Sequence, residues 1–204
     1  FDFSKANSDG FDFRFTAADG TTLLKYERER HDSANSLAEY WVKVPSISDS
    51  ADTYIYLYYR TEDTADGADP ENVWDSNFKA VHHLKDNTTS AVLDSTSNNN
   101  DGTKKEANKP YESSGKIDKG QQFISGGDNY INIGNVSPAN HRITVEAWIK
   151  TPGHATKSSF IVTKYLSPYD TPYAEYVMYV GRQDGSVPGQ VTCWISTSGS
   201  VTTA

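Results

Sequence analysis

Phe11-Asp12-Phe13-Arg14-Phe15 and, further on, Thr53-Tyr54-Ile55-Tyr56-Leu57-Tyr58-Tyr59 alternate in side-chain character with a period of two. Successive side chains of an extended strand point to opposite faces. The first run therefore predicts three rings on one face, with Asp12 and Arg14 on the other. The second predicts Tyr54, Tyr56 and Tyr58 on one face, with Ile55, Leu57 and Tyr59 opposite. The turn Ala18-Asp19-Gly20 joins the first run to a strand over Thr22 to Tyr26, because glycine tolerates the backbone that tight hairpins need. Leu37 to Val44 reads as another strand, ended by Pro45, which cannot donate to a ladder. Further candidates are Phe78 to Leu84, Gln121 to Ile124, Asn129 to Ile133, Ile143 to Lys150, Ser159 to Tyr165, Tyr176 to Gly181 and Gln190 to Ser196. No long segment keeps a helical period, so the expected class is all-β, with strands packed as sandwiches.

The bulk composition narrows the function classes. Of 204 residues, 27 are acidic and 19 basic, a net charge of −8, and the basic residues form no cluster. Nucleic-acid binding needs clustered cations to displace counterions, so it is not expected. No apolar stretch approaches the roughly 18 residues of a membrane span, so no membrane insertion is expected. The single cysteine, Cys193, excludes an internal disulfide and a thiolate metal cage. It reads as a small core residue in an alternating strand. Phe1 opens and Ala204 closes within strand-like alternation, from which we expect a piece of a longer protein.

Arg60 to Glu71 is rich in acids, with Gly67 and Pro70 and no apolar period. That is linker composition. The expected organisation is a small β-sandwich over residues 1–71 and a second sandwich over residues 72–204, with Trp74 wedged at their junction.

Several blocks carry a resemblance. Asp9-Gly10-x-Asp12-x-Arg14-Phe15, Asp19-Gly20-Thr21-x-Leu23-Leu24-x-Tyr26-Glu27, Trp41 to Pro45 and Ile55 to Tyr59 resemble the small domain of unknown function that precedes laminin-G-like modules in prokaryotic surface proteins. Downstream, His83-Leu84, Asp94 to Gly102 (DSTSNNNDG), Gly115-Lys116-x-x-x-Gly120, Gly127-Asp128-x-Tyr130 and Thr144 to Lys150 (TVEAWIK) resemble the start of a laminin-G/concanavalin-A-like jelly roll. His82 departs from the aromatic usual before His83-Leu84, and Ser97 and Asn99 replace glycines of the loop. The resemblance implies a jelly roll whose last strands lie beyond Ala204. It also implies extracellular adhesion or glycan recognition more often than catalysis.

Asp94, Thr96, Asn98 and Asn100 recur at every second position, which can gather several oxygens around one hard cation. An EF-hand is excluded, because Asn99 and Lys105 stand where that loop needs glycine and glutamate. Two readings follow: a structural Ca²⁺ held by Asp94, Asn98 and Asn100, or turn capping by the same side chains. Glu27 and Glu29 would share a strand face about 7 Å apart, a separation compatible with a glycosidase pair. Interleaved with Arg28 and Arg30, however, they read as a solvated, ion-paired strand with lowered pKa values. Glu146 has no second carboxylate nearby. His82 and His83 face opposite sides, one towards the core, and His31, His141 and His154 lack a nucleophile motif. No catalytic residue is therefore expected. Trp41 and Trp148 read as core. Tyr54, Tyr56 and Tyr58 form a ladder for stacking on sugars or on another subunit, provided that the aliphatic face opposite is core.

The leading expectation is a non-catalytic extracellular adhesion or carbohydrate-binding part of a larger surface protein, with a glycan or surface polymer as partner. Two alternatives stay open: a self-assembling subunit or spacer of a filament, pilus, sheath or virion surface, and the targeting appendage of a polysaccharide hydrolase.

Overall fold

A computed structural model describes residues 1–60, 62, 65–124, 129–137, 142–151, 158–165, 174–181, 189–197 and 200–203. Among the described residues the chain is all-β apart from two single 3-10 turns, Phe3–Lys5 and Pro70–Asn72. It divides into two compact units, Phe1–Gly134 and Asn135–Ala204.

The first unit begins with a three-stranded antiparallel sheet ordered β2-β1-β5, built from β1 (Arg14–Ala17), β2 (Leu23–Leu24) and β5 (Ile55–Tyr58). Phe15 lies opposite Leu24 on one side and Leu57 on the other. Asp19 closes the β1–β2 turn by accepting from the amides of Thr21 and Thr22 at 2.9 and 2.8 Å. A separate long hairpin pairs β3 (Tyr26–Asp32) with β4 (Leu37–Val42). Phe13, Phe15, Leu24 and Tyr26 form the buried core, with Tyr40, Val42 and Tyr59 packed around them. The Tyr26 hydroxyl donates to Phe13 O at 2.8 Å, which meets the polar end of a buried ring. Phe11 departs from the expected three-ring face. It precedes the strand and sits under the Arg28 guanidinium, 4.7 Å from the ring centroid. Asp12 is buried instead of facing water, and accepts the amide of Asn7 at 3.1 Å.

Register gives the β3–β4 hairpin two distinct faces. Tyr26 and Arg28 pair with Val42 and Tyr40, facing the aromatic core, while Glu27 pairs with Trp41 on the reverse face. A register irregularity between Arg28 and Arg30 leaves Glu29 without a partner across the ladder. The reverse face is covered by the chain from Trp74 to Ser95.

The acid-rich segment expected to be a linker is tied to these strands. Asp66 accepts both terminal nitrogens of Arg28 (2.8 and 2.6 Å), Ala65 O accepts from Arg14, and Lys25 pairs with Asp69 at 2.6 Å. Asp69 N donates to Tyr26 O at 2.8 Å. A Cβ at Gly67 would stand 2.2 Å from the Arg14 guanidinium and 2.7 Å from the Tyr26 hydroxyl, so the close approach needs glycine. The compact unit consequently continues past the boundary expected at residues 71 and 72. The rest of it comprises β6 (Ala91–Val92), β7 (Gly102–Lys104) and β10 (Ile131–Asn132) in one small sheet, and the hairpin of β8 (Tyr111–Ser114) with β9 (Lys119–Gln122).

The second unit contains a four-stranded antiparallel sheet in chain order: β11 (Ser159–Tyr165), β12 (Ala174–Val180), β13 (Val191–Thr197) and β14 (Ser200–Thr203). Tyr176, Val177, Tyr179 and Val180 of β12 are buried hydrophobic residues of this unit, with Thr192 of β13 buried beside them. Cys193 is half-buried opposite Met178, and Trp194 meets Tyr179 edge-on. Two expected strands, residues 78–84 and 143–150, join no described ladder, and Leu84 at the end of the first takes a positive φ of 60°. Trp148 is 74% exposed instead of forming core, because its segment joins no described sheet that could cover it.

Candidate functional site

Two groupings in the first unit carry chemistry, one on the surface and one buried. The surface grouping is the strand β5 together with Tyr54, which immediately precedes it. Its tyrosines point outward as the alternation predicts, with Tyr54 60%, Tyr56 47% and Tyr58 48% exposed. Tyr58 donates to Gly20 O at 3.3 Å and Tyr54 to the Asp52 carboxylate at 3.1 Å, which restrains two of the three rings. The opposite face differs from expectation. Ile55 and Leu57 are also exposed, and burial on that side falls to Tyr59, which stacks with Phe13. The reason is position: β5 is the edge of its sheet, so Leu57 lies at the rim of the core that Phe15 and Leu24 occupy.

The buried grouping overturns the solvated reading of Glu27 and Glu29. Both are buried, at 6% and 5% exposure, and they flank His83. His83 Nε2 lies 3.1 Å from Glu27 Oε1, and its Nδ1 is in close contact with Glu29 Oε2. Trp74 and Trp41 donate their indole N–H groups to Glu27 and Glu29 respectively, each at 2.8 Å. Ser95 donates to Glu27 Oε1 at 2.7 Å, and the Lys85 ammonium stands 3.5 Å from Glu29 Oε1. Burial opposes the charge on His83, but its contacts with the two carboxylates outweigh this and push it up to about 9. Burial likewise works against ionisation of both glutamates. For Glu27, His83, Ser95 and Trp74 outweigh it and lower the pKa; for Glu29, His83, Trp41 and Lys85 do the same. The arginines expected to be their partners bind elsewhere: Arg28 holds Asp66, and Arg30 holds Glu39. Trp74 packs on Trp41 and Phe78, and thus joins residues 72–95 to the hairpin. A general acid needs a carboxyl that keeps its proton near neutrality. Here the cluster holds both carboxylates ionised.

The polar loop forms a capped turn. Asp94 accepts from the amides of Val81, Thr96 and Asn100 at 2.9, 3.0 and 2.9 Å, and from the Thr96 hydroxyl at 2.8 Å. These donors outweigh burial and lower its pKa. Asn98 and Asn100 turn their amide N–H groups to carbonyls of residues 78 and 79, at 2.9 and 2.7 Å. The structure thus brings Asp94, Asn98 and Asn100 together, with Asp94 held by protein donors. Among the described residues, no group of three or more His, Cys, Asp or Glu side chains is arranged to hold a metal ion. His82 Nδ1 donates to Leu93 O at 3.0 Å, His31 contacts the Tyr40 hydroxyl, and His141 and His154 lie outside the described residues.

An all-β unit with an exposed aromatic edge and a buried carboxylate–imidazole cluster is what the first half of the chain presents. Residues 9–101 match the family described as Domain of unknown function (DUF2341). The match spans β1 to β5 and the covering segment together, crossing residues 71 and 72. No curated protein and no solved structure matches the chain.

Proposed function

We propose that the chain is a non-catalytic carbohydrate-binding or adhesion part of an extracellular surface protein, with Tyr54, Tyr56 and Tyr58 as its stacking platform. The observation that carries this reading is the exposure of all three rings, Tyr56 and Tyr58 in β5 and Tyr54 just before it. Flat, restrained aromatic faces stack on sugar rings at low entropic cost. Two features add support: both buried glutamates are ionised and enclosed, and the downstream half resembles laminin-G-like modules. Four protein donors to Asp94 support the turn-capping reading of the polar loop over the calcium one. Affinity electrophoresis through a panel of bacterial and plant polysaccharides tests the reading. Retardation by at least one polymer, lost on combined replacement of Tyr54, Tyr56 and Tyr58 by alanine, is expected; retention untouched by those replacements would overturn it. The open edge of β5 favours a second reading, a self-assembling subunit or spacer of a surface filament, for which growth of polymers by electron microscopy is the test.

A further inference from the structure

The geometry points to a closed, two-fold dimer of this chain, formed by antiparallel pairing of β5 with β5 of a second copy. This does not require the carbohydrate reading. Among the described residues β5 pairs only with β1, so its outer edge presents unpaired N–H and C=O groups to solvent. Such an edge is a template for another strand. The usual safeguards, a lysine or proline within the strand, are missing from Tyr54-Ile55-Tyr56-Leu57-Tyr58.

The sequence around the strand selects both partner and register. A two-fold axis normal to the sheet keeps each face on its own side, so residues directly opposite must share a face. The axis therefore passes beside a residue and not between two. Centred on Tyr56, it sets Tyr54 opposite Tyr58, Ile55 opposite Leu57 and, at both ends, exposed Asp52 opposite exposed Arg60. Centred on Leu57, it would set Asp52 against Glu62. Centred on Ile55, it would leave Arg60 facing Ser50. Only the Tyr56 register joins opposite charges while pairing ring with ring. Arg60 also contacts Glu62 at 2.8 Å; both side chains are exposed, so this surface pair yields readily to a second carboxylate. The dimer keeps both sheet faces open and places six tyrosines on one of them.

Four strand residues make a short junction, so association is weak, with a dissociation constant on the order of tens of micromolar. Sedimentation velocity on the 204-residue chain is expected to show reversible monomer–dimer exchange. Asp52→Arg or Arg60→Asp alone opposes like charges at both ends and weakens the dimer by about tenfold. The double reversal restores it, and Tyr56→Lys, which sets two ammonium groups against each other on the axis, abolishes it. All three substitutions lie on exposed positions and leave the circular dichroism spectrum and melting unchanged. A chain that stays monomeric at about 0.5 mM, a dimer indifferent to the single reversals, failure of the double reversal to restore pairing, or assembly beyond the dimer would each overturn the inference.

Discussion

Replacing His83 with alanine leaves Glu27 and Glu29 facing each other with their common cation gone. In the native chain the imidazolium bridges two carboxylates that are almost wholly enclosed. Removing one partner of a buried charge pair costs about 3–5 kcal/mol, because the charges left behind have lost their compensation. The proton affinity of His83 gives a second figure. Its pKa of about 9 in the fold, against about 6.5 in an unfolded chain, corresponds to about 3 kcal/mol. The two agree, and for a unit of this size they amount to a melting temperature lower by about 10 °C. The pH dependence follows from the raised pKa. The contribution is complete below about pH 6.5, where folded and unfolded chains both hold the proton, and is lost as pH rises through about 9. Thermal unfolding of wild type and His83→Ala followed from about pH 6 to about pH 10 should show the gap between them narrowing as pH rises. A variant that melts within about 1 °C of wild type at neutral pH, or a gap that stays constant across that range, would refute the reasoning.

Four further outcomes are expected. Trp74→Phe keeps the ring but removes the donor to Glu27, leaving a buried carboxylate oxygen short of a partner, and should cost about 1–3 kcal/mol by urea unfolding. Asp94→Ala orphans three backbone amides and should destabilise the first unit by about 2 kcal/mol or more near neutrality; the lowered pKa of Asp94 means that this stabilisation is present above about pH 4 and lost as pH falls further. Calcium or a chelator should leave the wild-type melting temperature unchanged. Gly115→Ala would place a Cβ 2.1 Å from the Lys119 carbonyl oxygen and should open the β8–β9 hairpin, read as faster amide exchange across residues 111–122.

Alternation alone located most of the strands. β4, β5 and β11 to β13 lie within two residues of where the period-two runs predict them, because each has neighbours that reward its pattern. Residues 143–150 carry the same pattern without a described ladder, which shows that periodicity states what a segment can pair with and not whether it does. For Glu27 and Glu29, the alternation correctly placed both carboxylates on one face. It could not say that a histidine and two indoles from elsewhere in the chain would cover that face, so the adjacent arginines looked like the partners. The scarcity of charged residues that are buried unpaired was the usable signal: Trp41 opposite Glu27 in the hairpin, and His83 near Trp74, were the donors to look for. Residues 60–71 misled for a related reason. Acids, glycine and proline suit a linker, yet Asp66 and Asp69 are the counter-ions of Arg28 and Lys25.

The cover over β3 and β4 has a consequence for inheritance and for grafting. A fragment cut after residue 71 would carry two carboxylates selected for an imidazolium that it no longer possesses, and would expose Trp41 to water. A donor fragment beginning at residue 72 would in turn bring His83 and Trp74 to a host with nothing to receive them. Exchange between genes can therefore keep the fold only if strands and cover travel as one cassette, and a chimera built on residues 1–101 should express where one built on 1–71 aggregates.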